Sequence, residues 1–119
     1  MNVKIRRAKN SEDGLWYLFW CPGCKEPHQV HISPCQMKEP DGSPHKGPHW
    51  TFDGNEEKPT FGPSILIYEM PDIGHPRCHS FVKAGRIEFC ADSGHELKGQ
   101  TFDLPDWPYK PGGYGGIED

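Results

Sequence analysis

No apolar run in this chain approaches the ~20 residues that a membrane-spanning helix requires. Apolar residues of all kinds make up only 34% of the sequence, below the usual share for a globular domain. A core built from so little is thin, and a bound metal would offset the shortfall. Basic charge is also scarce: the net charge is −4, which disfavours a nucleic-acid partner. The one basic cluster, Lys4, Arg6, Arg7 and Lys9, reads as a solvated edge or arm. There is no phosphate-cradling loop, because Gly112-Gly113-Tyr114-Gly115-Gly116 neither follows a strand nor opens a helix. There is no His-Glu-x-x-His and no second Cys-x-x-Cys, so a zincin helix and a four-cysteine ribbon are excluded. The start of the chain lacks the charged-then-apolar layout of a signal peptide. The expected location is therefore the cytoplasm, where the five cysteines act as metal ligands or buried thiols rather than disulfides.

Turn formers and aromatics are abundant. With 14 Gly, 13 Pro and 12% aromatic residues, the chain reads as short strands joined by many turns. Val3 to Arg7 is a candidate short strand. Leu15-Trp16-Tyr17-Leu18-Phe19-Trp20 is a continuous apolar run, the pattern of a strand buried on both faces. His28-Gln29-Val30-His31-Ile32 alternates, with His28, Val30 and Ile32 on one face. Residues 33–48 form a long Pro- and Gly-rich loop, followed by a short strand at His49-Trp50-Thr51-Phe52 and a stronger one at Ile65-Leu66-Ile67-Tyr68. Ala84-Gly85 is a two-residue hairpin turn that pairs Val82 with Ile87 and Ser80 with Phe89. The expected fold is mainly β: a small antiparallel domain with long loops, stapled by one zinc ion. Its expected divisions are an arm at 1–14, the domain at 15–108 and a flexible tail at 109–119.

Cys21-Pro22-Gly23-Cys24 sits between two of these strands as a zinc knuckle, two thiolates at a hairpin tip. A redox Cys-x-x-Cys would open a helix in a βαβ unit, and no such unit is present. The knuckle supplies half of a site. The other half must come from His28, His31, Cys35, Cys78, His79, Cys90, Asp92 or His95.

Cys78-His79-Ser80-Phe81-Val82, Gly85-Arg86-Ile87-Glu88-Phe89, Asp92, His95 and Gly99-Gln100-Thr101-x-Asp103-Leu104-Pro105 resemble a family of small phage and prophage proteins of unknown function. Pro59-Thr60-Phe61-x-Pro63-Ser64 and Cys21-x-x-Cys24-x-x-x-His28 extend the resemblance over roughly residues 15–108. Members often carry the label ammonia monooxygenase, but that enzyme is a large membrane complex and this chain has neither the length nor a spanning segment for it. Some members sit beside bacterial ubiquitin-like conjugation genes and are suspected metal-dependent peptidases, which the resemblance carries to this chain by association and not by mechanism. Members read Asp-Cys-Thr-His where this chain has Asp92-Ser93-Gly94-His95, a departure that favours a mixed Cys/His ligand set.

The leading Zn²⁺ set is Cys21, Cys24, His79 and His95, with Cys78 in place of His79 as the close second and His28 as a further alternate. Two functions follow. In the first, zinc is structural and the protein is a phage or prophage accessory protein that acts by binding a protein partner, itself unidentified. In the second, His79, Asp92 and His95 form an open metal site of a peptidase-like hydrolase, with Asp92, Glu88 or Glu96 as catalytic candidates. Exposed strand edges make a homodimer an expectation in either case.

Overall fold

The computed structural model describes residues 3–8, 16–33, 38–44 and 46–116. Cys35 lies outside the described residues. The fold is mainly β, with two antiparallel sheets and no α-helix among the described residues. No helix there is long and apolar enough to cross a membrane.

The first sheet has the order β1-β2-β3, formed by β1 (Ile5–Arg7), β2 (Trp16–Cys21) and β3 (Glu26–His31). Central β2 is the apolar run, and both of its faces are covered. Tyr17, Phe19 and Cys21 point to one side and are at most 3% exposed, while Leu18 points to the other and is as deeply buried. Pairing of Phe19 with His28 and of Tyr17 with Val30 turns His28 and Val30 inward with them.

The second sheet has the order β4-β5-β6-β7-β8: β4 (Thr51–Phe52), β5 (Phe61–Ile67), β6 (Cys78–Lys83), β7 (Arg86–Phe89) and β8 (Thr101–Asp103). The β6–β7 hairpin has the register its turn dictates, Val82 opposite Ile87 and Ser80 opposite Phe89. The turn residues Ala84 and Gly85 both have positive φ, 48° and 78°, the conformation a tight two-residue hairpin requires. Strand β5 pairs with β6 through Ile65–Ser80, Leu66–His79 and Ile67–Cys78, and a register shift between Phe61 and Ile65 frees the segment that carries Ser64.

The main core lies between the sheets. Phe19, Val30 and Ile5 from the first meet Phe61, Ile65, Val82, Ile87 and Phe89 from the second, joined by Leu104. A smaller cluster covers the outer face of the first sheet, where Ala8, Leu18 and Trp107 gather Trp16, Trp20 and Tyr109. The closing segment thus packs onto the first sheet: Trp107 donates its backbone N–H to the Val3 carbonyl, and Gly116 bridges Ala8. His95 to Lys98 closes a single turn, and Gly99, with φ of 75°, ends it.

Candidate metal centre and serine–histidine–aspartate cluster

Strands β2 and β6 each end with a cysteine facing the inter-sheet space. Cys21 closes β2 and Cys78 opens β6; both are essentially buried, with their sulfurs 3.9 Å apart. That is too long for a disulfide. Two sulfurs on one tetrahedral zinc, with bonds near 2.3 Å, would lie ~3.8 Å apart. Cys24 returns from the knuckle turn and His28 reaches in from β3. One ligand atom from each of Cys21, Cys24, His28 and Cys78 lies within 4.8 Å of the others, and the group could hold a metal ion.

The donors fit a metal on two further grounds. His28 Nε2 is buried without a hydrogen-bond partner, a costly state that ligation would relieve. The three thiols also compete for protons. Cys21 is pulled far below the ordinary thiol range, first by a hydrogen bond from Cys24 and then by one from Cys78. The same bond to Cys21 pushes Cys24 up to about 12, and Cys78 is driven upward as well. A metal binds thiols as thiolates, so a cation held among the three would draw off the protons they share.

The knuckle turn is locally determined. The Cys24 N–H points at Cys21 Sγ, 3.4 Å away, and the Lys25 N–H donates to the Cys21 carbonyl at 2.8 Å. Gly23 is required for space, because a Cβ there would collide with the His95 imidazole. His95 therefore lies over the knuckle without joining the four-donor group. Its Nδ1 accepts from the Leu97 N–H at 3.2 Å, and its ring meets Phe89 edge-on. Burial, the largest influence, holds its pKa below the ordinary histidine value.

His79 is adjacent to Cys78 and, by strand alternation, points to the opposite face. There it meets Ser64 and Asp92. Its Nε2 lies 3.0 Å from Ser64 Oγ, and its Nδ1 lies 3.1 Å from Asp92 Oδ1 and 3.2 Å from Oδ2. An ionised carboxylate can only accept, so Nδ1 carries the proton and Nε2 accepts from the serine hydroxyl. Desolvation pushes the Asp92 carboxyl up, but the His79 hydrogen bond and charge, together with Arg77, prevail and hold it below its ordinary range. Arg77 Nε is 3.4 Å from Asp92 Oδ2.

Ser93 fixes the backbone of this histidine. Its buried hydroxyl accepts from the His79 N–H at 3.1 Å and donates to the His79 carbonyl at 3.0 Å. Cys90 also approaches: His79, Cys90 and Asp92 form a second group that could hold a metal ion. Glu88 and Glu96 are exposed and belong to neither group.

Of the residues singled out by sequence, Cys21, Cys24, His28 and Cys78 come together in one place. His79, Cys90 and Asp92 come together in another, and His95 lies over the knuckle without belonging to either group. Ser64 was visible only as the last residue of Pro59-Thr60-Phe61-x-Pro63-Ser64, with nothing local to mark its hydroxyl.

The molecule is a small two-sheet β-protein with a Cys/His cluster between the sheets and a serine–histidine–aspartate cluster on the outer face of one of them. Residues 2–90 match the family described as bacterial ubiquitination-like system serine protease, BubE, and the chain belongs to that family. No curated protein and no solved structure matches it.

Proposed function

We propose that the chain is a serine protease acting on a protein of a bacterial ubiquitination-like system, with Ser64 as nucleophile, His79 as general base and Asp92 as the group that orients it. The observation that carries this reading is the 3.0 Å contact of Ser64 Oγ with His79 Nε2, backed by the 3.1 Å contact of Nδ1 with Asp92. The family description supports it.

In the reaction, Ser64 Oγ attacks the scissile carbonyl while its proton passes to His79 Nε2. The C–N bond breaks as Nε2 returns that proton to the leaving amine. A water then attacks the acyl-serine, giving one proton to Nε2; the Oγ–acyl bond breaks as Nε2 passes that proton to Ser64 Oγ, which releases the carboxyl product and restores the hydroxyl. Asp92 keeps Nδ1 protonated and stabilises the imidazolium that forms. Cys21, Cys24, His28 and Cys78 would hold Zn²⁺, the ion suited to a set of three thiolates and one imidazole. Four protein ligands would leave no open position, so zinc held there would be structural. The phage or prophage setting and the cytoplasmic location rest on sequence motifs and cysteine usage, and belong to the same proposal.

Labelling with a small fluorophosphonate tests the nucleophile. Intact-mass analysis should show one adduct on Ser64, absent in Ser64→Ala. Asp92→Asn should slow labelling on the order of 10²–10⁴-fold while leaving the melting temperature near wild type. An unmodified Ser64 would sink the reading.

A metal-dependent hydrolase built on His79, Asp92 and Cys90 is the second reading, favoured by the proximity of their ligand atoms. Against it, Arg77 already places a positive charge on Asp92. The two readings differ in metal content, one equivalent per chain against two.

A further inference from the structure

Strand alternation places Ser64, Leu66 and Tyr68 in one line along the outer face of the sheet. Beside them is a cleft of about 260 Å³ lined by Pro48, His49, Trp50, Pro63, Ser64, Leu66 and Tyr68. We infer that this cleft is the specificity pocket of the protease and that it takes one bulky apolar side chain, from the substrate residue that supplies the scissile carbonyl. The inference rests on Ser64 being the nucleophile.

Three observations carry it. The first is chemical: among the described residues no Asp, Glu, Lys or Arg lines the cleft. A charged side chain entering it would lose water without meeting an opposite charge among the described lining residues. An apolar one is stabilised by leaving water. The second is size. The volume lies below the ~300–1,000 Å³ of sites for whole small molecules and suits a single side chain.

The third is direction. In the sheet, β5 lies between β4 and β6. His79 is on β6, so the leaving amine, which receives its proton from Nε2, departs toward β6. The acyl portion then extends toward β4, where residues 48–50 form the far wall of the cleft. That wall is fixed: the Trp50 indole N–H donates to the Ser64 carbonyl at 2.9 Å, and Trp50 is only 8% exposed. The nucleophile and its specificity wall are therefore tied by one hydrogen bond.

Peptidyl phosphonates that differ only in the side chain next to phosphorus test this directly at Ser64. Phe- and Leu-type reagents should label the full chain at least tenfold faster than Gly-, Asp- or Lys-type reagents. Leu66→Asp should reverse the order, so that the Lys-type reagent outruns the Phe-type. Tyr68→Glu, at a position 65% exposed, should shift the order the same way without endangering the fold. Equal rates for all five reagents in a protein that the small fluorophosphonate does label would overturn the pocket and leave the protease reading intact. Failure of the fluorophosphonate itself would overturn the protease reading, and the pocket with it.

Discussion

Ser93 shows how much a single hydroxyl can organise. Its two bonds to the His79 backbone tie the chain after β7 to the first residues of β6. The hydroxyl is buried, so its loss leaves the His79 N–H without its acceptor, while the His79 carbonyl keeps the Cys90 N–H at 2.8 Å. Ser93→Ala is expected to cost about 1–3 kcal/mol of stability. Because the tethered residue is His79, labelling of Ser64 should slow more than the loss of folded protein explains. Ser93→Thr, which keeps the hydroxyl, should restore part of the rate. Denaturant melting and labelling rates measured on the same samples separate the two effects, and unchanged labelling in a folded Ser93→Ala protein would show that the tether does not position the histidine. The acceptor role of Ser93 is not legible in sequence. It depends on Ser93 meeting β6 across a separation of 14 residues.

At the scale of elements, legibility follows the range of the interactions. The β6–β7 hairpin was readable because its turn is local: Ala84-Gly85 sets the register, and the register sets which side chains share a face. Cys21 and Cys24 were readable because their spacing is local. The choice between Cys78 and His79 is different. Alternation states that the two point oppositely, but only the packing of the sheets decides that Cys78 faces Cys21 while His79 faces Ser64. Ser64 is harder still, since its partner arrives through the β5–β6 register, a pairing of distant strands with an irregularity in it. The turn that made the hairpin legible also contains a local conflict. Ala84 holds φ of 48°, where a Cβ costs roughly 1–2 kcal/mol and where Asn is tolerated far better. Ala84 is exposed, and its N–H to Thr60 Oγ1 is a backbone bond that a substitution keeps. Ala84→Asn should therefore raise stability by about 0.5–1 kcal/mol, read as a higher denaturant midpoint at unchanged slope.

For the whole molecule, the two clusters are linked by adjacency in β6. Cys21, Cys24 and His28 belong to the first sheet or its hairpin, and Cys78 belongs to the second, so a metal on these four would cross-link the sheets at the end where β6 begins. The next residue is His79. A thin core makes that cross-link matter, because an ion bound only by the native state stabilises it by about 4 kcal/mol at a thousandfold excess over its dissociation constant. At this chain length each kcal/mol moves the melting temperature by roughly 3–6 °C. Chelation should therefore lower melting by more than ~10 °C and slow labelling of Ser64 in parallel. The choice of metal for reconstitution then separates support from chemistry. Cd²⁺ binds thiolates at least as willingly as Zn²⁺ and is a poor substitute where a metal must activate water. If the metal only fixes the start of β6, Cd²⁺ should restore both the melting temperature and the Ser64 labelling rate. Restoration of melting without labelling would assign the metal a part in the reaction and overturn the division of roles between the two clusters. A chelated protein that melts and labels like the untreated one would remove the metal from both.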